Sequence, residues 1–147
     1  MKILMVAPQP FFRVRGTPIN VRNMLETLSD AGHEVDLVCY PFGEDITING
    51  VRIFRSVGLP WIKDIRVGPS YAKVLLDFWM FWTVLRRLLG EKYQVIHAIE
   101  ESVFFCVPLK YLFRTKLIYD MDSHISDQLQ YSGFMKSKVL LRLVSSL

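Results

Sequence analysis

Apolar residues run through this chain in two rhythms. Lys2–Ala7 (KILMVA) is almost wholly apolar and ends at the triplet Pro-Gln-Pro. So short a run without alternation predicts a strand covered on both faces, as in parallel sheets. The rhythm then changes. Val21, Met24, Leu25, Leu28 and Ala31 recur at helical spacing and form one apolar stripe. Thr17 stands where an N-cap belongs, Pro18 at the first helical position and Gly32 at the C-terminal stop. VDLVCY, residues 35–40, reads as a second strand. Strand, loop, helix and strand within about forty residues make a βαβ unit.

The pattern continues less evenly. ITINGVRIFR places Asn49-Gly50 between two alternating runs, which predicts a hairpin or a tight turn. Over residues 71–89 a long helix is expected, with Tyr71, Leu75, Phe78, Trp82, Leu85 and Leu89 on one face. YQVIHAI is a third buried strand, and EESVFFCVPLKYLF a helix that Pro108 bends or interrupts. TKLIYD is a fourth strand, and SHISDQLQYSG holds a short helix or turn. Leu140, Leu143, Val144 and Leu147 fall at helical offsets with no stop signal after them, so the chain reads as cut. Strands alternating with helices predict an α/β fold, a Rossmann-like parallel sheet with helices on both faces.

Composition narrows the classes. At 147 residues and 51% hydrophobic, the chain has the size and apolar content of one folded domain. Its net charge of +4 suits anionic partners but lacks the dense basic patterning of a nucleic-acid binder. Cys39 and Cys106 lie far apart in apolar runs and read as buried thiols in a reducing, cytoplasmic setting. No apolar run reaches the ~18 residues of a membrane span.

In open parallel sheets ligands bind beyond the carboxyl ends of the strands. That rule selects residues 11–17, 97–101 and 120–124. In the first, Gly16 precedes a helix whose free amides suit an anion, with Thr17, Arg13 and Arg15 beside it. A capped helix with solvated arginines fits the same residues. Neither a dinucleotide fingerprint nor a P-loop is present. In the second, His97, Glu100 and Glu101 offer acceptors for sugar hydroxyls; alternatively Glu101 or Ser102 caps the next helix and His97 is a core histidine. The third holds Asp120, Asp122, Ser123 and His124, suited to binding hydroxyls or to general-base work, or else to an Asx-rich turn. The spacing is not diagnostic of a metal site. His33, between a helix stop and a strand, reads as structural. The 71–89 helix is apolar nearly all round. Core packing explains it, and so does a seat against lipid, with Arg86 and Arg87 meeting anionic head groups.

Taken in order, MKILMVAP, the glycine loop, LSDAGHEVDLV, NGVRIFR, YQVIHAIEE and LIYDMDS resemble the N-terminal half of family 4 glycosyltransferases, which have the GT-B fold. The resemblance implies a retaining transferase moving a sugar from a nucleotide-sugar to a glycan or lipid-linked acceptor, in surface polysaccharide or glycolipid synthesis. It implies no cofactor and no metal. It also implies that the chain, 1–147, is the acceptor-side domain of a longer protein, inactive without a C-terminal nucleotide-sugar domain. Carried over, Gly16, Thr17 and Arg15 lie by the donor phosphates. His97, Glu100, Glu101 and Asp120 face the acceptor, and Asp122 and His124 the reacting centre. Asp122 stands where the family commonly has His, and Arg-Gly-Thr replaces the commoner paired glycines. Two other readings stay open: a non-catalytic sugar- or partner-binding module of the same fold, and a flavodoxin-like regulator binding Mg²⁺ at Asp120 and Asp122.

Overall fold

The apolar run of β1 (Lys2–Ala7) becomes the central strand of a sheet, buried on both faces along all but its first residue. A computed structural model describes residues 1–13, 16–63, 65 and 70–121. In it, β1 is followed by α1 (Gly16–Asp30), β2 (Glu34–Cys39), β3 (Val51–Arg55), α2 (Tyr71–Gly90) and β4 (Val95–Ile99). A 3₁₀ turn (Glu100–Ser102), α3 (Val103–Phe113) and β5 (Lys116–Asp120) complete the order. The five strands stand in the order β3-β2-β1-β4-β5, all parallel.

Alternate side chains of the strands feed two cores. On one face Ile3, Met5, Val35 and Leu37 meet Val21 and Leu25 of α1. On the other, Leu4, Val38 and Ile96 meet Leu76, Met80, Val84 and Leu88 of α2 and Cys106 and Leu109 of α3. Both cysteines are free and buried, and burial pushes each thiol up to about 12.

Several expectations need correction. The 46–55 segment is not a hairpin. Asn49-Gly50 is a turn, with Gly50 at φ +69, but only Val51–Arg55 forms a strand, and it pairs parallel to β2. Thr17 is not an N-cap, since α1 already includes Gly16. The α2 stripe is the reverse of the expected one: Tyr71, Leu75, Phe78, Trp82 and Leu89 are exposed, and the buried face is Leu76, Met80, Val84 and Leu88. On a helix this apolar, periodicity cannot tell the two faces apart. Pro108 does not interrupt α3, which runs through it. His33 Nδ1 lies 3.3 Å from the chain's amino terminus.

Candidate functional site at the carboxyl rim

The carboxyl ends of β1, β4 and β5 lie side by side, with Val6 paired to Ala98 and Ile99 to Asp120. The first site segment leaves β1. Its loop is tied down by Arg55 at the end of β3. Arg55 Nη1 donates to the carbonyls of Phe11 at 2.6 Å and Phe42 at 2.7 Å, and Nη2 to Asp45 at 2.9 Å. Gly43, at φ +111, packs so tightly here that a Cβ would lie 2.3 Å from the Phe11 oxygen. Gly16 is the opposite case. It opens α1, is exposed, and a Cβ added there would have no atom of the described residues within 4 Å. Among the described residues neither packing nor a left-handed backbone demands a glycine at that position. It leaves the first amides of a helix uncovered by them. Thr17 is half-buried beside it. Arg15 lies outside the described residues.

The second segment leaves β4. Glu100 has φ +50, the left-handed region that a side chain other than glycine's enters at a cost. The next residues fix it there. Ser102, fully buried, directs its hydroxyl to the carbonyls of Ile99 at 2.8 Å and Val6 at 3.1 Å. It stitches the ends of β1 and β4 together and makes no capping bond to α3. Glu101 forms an ion pair with Lys73 of α2. His97 lies two residues inside the rim, on the α1 face, in an apolar pocket with Ile3, Met24 and Ile118. Burial lowers its pKa, against the pull of Asp120.

Asp120 closes β5. The neighbouring Tyr119 phenol is raised by burial and then by the charges of Glu100, Glu101 and Asp120. Among the described residues no cluster of His, Cys, Asp or Glu has the makings of a metal site. Asp122 and His124 lie outside the described residues.

Sequence reasoning missed the layer behind this rim. Tyr40, just past β2, donates its hydroxyl to Asp77 Oδ1 at 2.5 Å. Burial pushes Asp77 up to about 6, the Tyr40 hydrogen bond opposes this, and the charge of Glu101 adds to it. Tyr40, fully buried, has its own pKa raised by burial and then by Asp77. Asp77 and Lys73 were legible only as rare charges on an apolar helix. Gln9, after β1, and Ser56, after β3, are also buried at this end of the sheet. Gln9 Nε2, Ser56 Oγ and, at the opposite end, Thr115 Oγ1 have no hydrogen-bond partner among the described residues.

Comparison with known proteins agrees with this layout. The sequence profile described as Glycosyltransferase Family 4 matches residues 14–140. Comparison with curated protein sequences returns no match. Among solved structures, sucrose-phosphate synthase from Thermosynechococcus elongatus superposes with a TM-score of 0.70 at 17% identity, covering 98% of this chain and 39% of that one. At that identity the likeness is one of fold, and this chain spans well under half the length of that enzyme. Its parallel sheet and flanking helices are those of the N-terminal part of a GT-B enzyme, and with the family profile covering most of its length the chain belongs to glycosyltransferase family 4.

Proposed function

We propose that this chain is the acceptor-side part of a retaining glycosyltransferase. It moves a sugar from a nucleotide-sugar to a glycan or lipid-linked acceptor in surface polysaccharide or glycolipid synthesis, on the cytoplasmic side of a membrane. The observation that carries the reading is the space that the described residues leave over Gly16, at a helix start on the rim that also holds Glu100, Glu101 and Asp120. A diphosphate has room to approach the first amides of α1, where the helix dipole favours negative charge. Arg15 and Thr17 extend that grip. The carboxylates of Glu100, Glu101 and Asp120 accept hydrogen bonds from acceptor hydroxyls, with His97 behind them. Asp122 and His124, just past β5, are assigned to the reacting centre.

Stabilising the leaving diphosphate is the largest catalytic demand on such a site. One helix start meets it only in part, so a C-terminal nucleotide-sugar domain is required and the chain alone is inactive. The test is direct. The chain is assayed against a panel of nucleotide-sugars, alone and joined to the segment encoded after Leu147. Acceptor mass reports transfer and NMR of the product anomer reports stereochemistry. Transfer with retention by the longer protein only is the expected result. Family-typical turnover by the chain alone, or inversion of the anomer, overturns the assignment.

A further inference from the structure

The outer faces of α2 and α3 carry apolar surface that is exposed in the described part of the fold. Phe78, Trp82 and Leu89 of α2 and Phe104, Tyr111 and Leu112 of α3 are all exposed, Trp82 least at 49% and Leu89 most at 72%. Edge-to-face rings run along α2, with centroids 6.2 Å apart for Phe78–Trp82 and 5.4 Å for Phe81–Trp82, and the Phe81–Phe105 pair at 6.2 Å joins α2 to α3. Large exposed apolar patches mark interaction surfaces. Aromatic rings with polar tips are suited to a boundary between water and hydrocarbon.

Among the described residues the charges around this surface are mainly positive. Asp77 is the sole acidic residue of α2, and it is held by Tyr40; α3 has none. Arg86 is exposed on α2. At the C-terminal ends of the two helices, Lys92, Arg114 and Lys116 join Leu89 and Leu112 around a cavity of about 960 Å³. Glu91 also lines it, but its carboxylate is bound by Lys2, Arg52 and Arg87. Apolar surface beside cations that no described carboxylate pairs complements a sheet of anionic head groups over acyl chains. A second copy of this chain fits the face poorly, because a symmetric contact would bring the same cations together. Arg87, which the sequence suggested as a head-group ligand, is turned inward onto Asp36, Glu91 and the Phe54 ring.

We propose that the α2–α3 face seats this protein on an anionic bilayer surface, its aromatic rings at the acyl boundary and Lys92, Arg114 and Lys116 on the phosphates. This deepens the membrane part of the reading above by naming the face and the lipid charge. No described helix is long and apolar enough to cross a membrane, so the contact is interfacial.

The experiment is co-sedimentation of the chain with vesicles of phosphatidylcholine alone or with one third phosphatidylglycerol. Binding at least fivefold stronger to the anionic vesicles, weakened by 0.5 M salt, is expected. Leu89→Glu with Leu112→Glu changes two highly exposed positions, and Lys92→Glu with Arg114→Glu reverses two surface charges; each pair should cut binding at least fivefold while circular dichroism stays that of the parent. Quenching of tryptophan emission by brominated acyl chains in the parent reports the aromatic contact. The proposal is overturned if the folded parent ignores anionic vesicles, if both double variants bind like the parent, or if sedimentation equilibrium shows a dimer that the Leu89→Glu, Leu112→Glu pair disrupts. Transfer to a water-soluble acceptor analogue by the longer two-domain protein is measured without vesicles, so loss of the transferase reading registers separately from loss of this one.

Discussion

Arg52 grips Asp36 with two parallel bonds, Nε to Oδ1 and Nη2 to Oδ2, each 2.7 Å long. The pair sits across β2 and β3, far from the rim, and Asp36 is only 1% exposed. Arg87 at 3.2 Å and the Tyr93 hydroxyl bind the second carboxylate oxygen, so three groups from three places in the chain meet at one buried charge. Arg52 itself is half exposed. Losing Asp36 therefore differs from losing Arg52. Asp36→Ala strands Arg87 and the Tyr93 hydroxyl without their shared acceptor, and the expected cost is about 3 kcal/mol. Arg52→Ala leaves Asp36 with two partners and removes a solvent-screened contact, at about 1 kcal/mol. Urea melts of the two variants decide it: equal destabilisation would mean that Asp36 does not organise this network.

The proton inventory of the fold has two windows of opposite sign. Burial raises Asp77 from 3.8 to about 6, so the folded chain holds a proton there that the unfolded chain has released. The stability this contributes is complete below the unfolded value and is lost as pH rises through about 6. Glu91 runs the other way. Hydrogen bonds from Lys2 and Arg52 pull it from 4.5 down to about 2, so its contribution is present above the unfolded value and lost as pH falls through about 2. Asp77→Asn keeps an acceptor for Tyr40 and abolishes the first window. The stability of the variant relative to the parent should rise between pH 4 and 6 and then stay level. A difference that is flat across that interval would show that Asp77 titrates like an exposed carboxyl group.

Gly16 and Gly43 separate packing from function. Alanine at Gly43 drives a Cβ into the Phe11 carbonyl at 2.3 Å and needs a φ of +111, so a loss of about 3 kcal/mol or more is expected. Alanine at Gly16 meets none of the described residues within 4 Å, so its effect on a melt should stay within about 0.5 kcal/mol. If the space over Gly16 receives the donor, Gly16→Ala still lowers kcat/KM of the two-domain enzyme about tenfold or more, roughly 1.4 kcal/mol of transition-state binding. A variant with unchanged melting and unchanged kcat/KM would remove Gly16 from the site.

What the sequence disclosed follows from how strongly each residue's position is determined locally. β1 was legible to the residue because an apolar run between polar ends leaves one choice. β3 was not recognisable as a parallel strand, because Asn49-Gly50 makes the same turn whether or not the chain folds back on itself. The faces of α2 could not be separated, since Phe78 and Trp82 are as apolar as Met80 and Val84, and only the sheet determines which stripe is covered. The rim at Gly16, Glu100 and Asp120 was found through a general property of parallel sheets. The Tyr40–Asp77 bond behind it joins residues 37 positions apart and has no signature in sequence.

Glu100 offers the sharpest separation of stability from activity. Its φ of +50 is maintained by the Ser102 bonds that pin the ends of β1 and β4 on either side of it. A left-handed backbone at a residue with a Cβ costs about 1 kcal/mol, a cost glycine escapes. Glu100→Gly should therefore leave the fold as stable as the parent or up to about 1 kcal/mol more stable, depending on how much glycine's entropy in the unfolded chain offsets the relief. The same change deletes a carboxylate assigned to the acceptor, so the acceptor KM should rise about tenfold while the donor KM stays put. Glu100→Gln, which keeps the shape and one acceptor oxygen, should fall between parent and glycine variant in KM and show no gain in stability. If Glu100→Gly melted like the parent and bound acceptor like the parent, the strained backbone at the end of β4 would have neither a structural cost nor a functional reason.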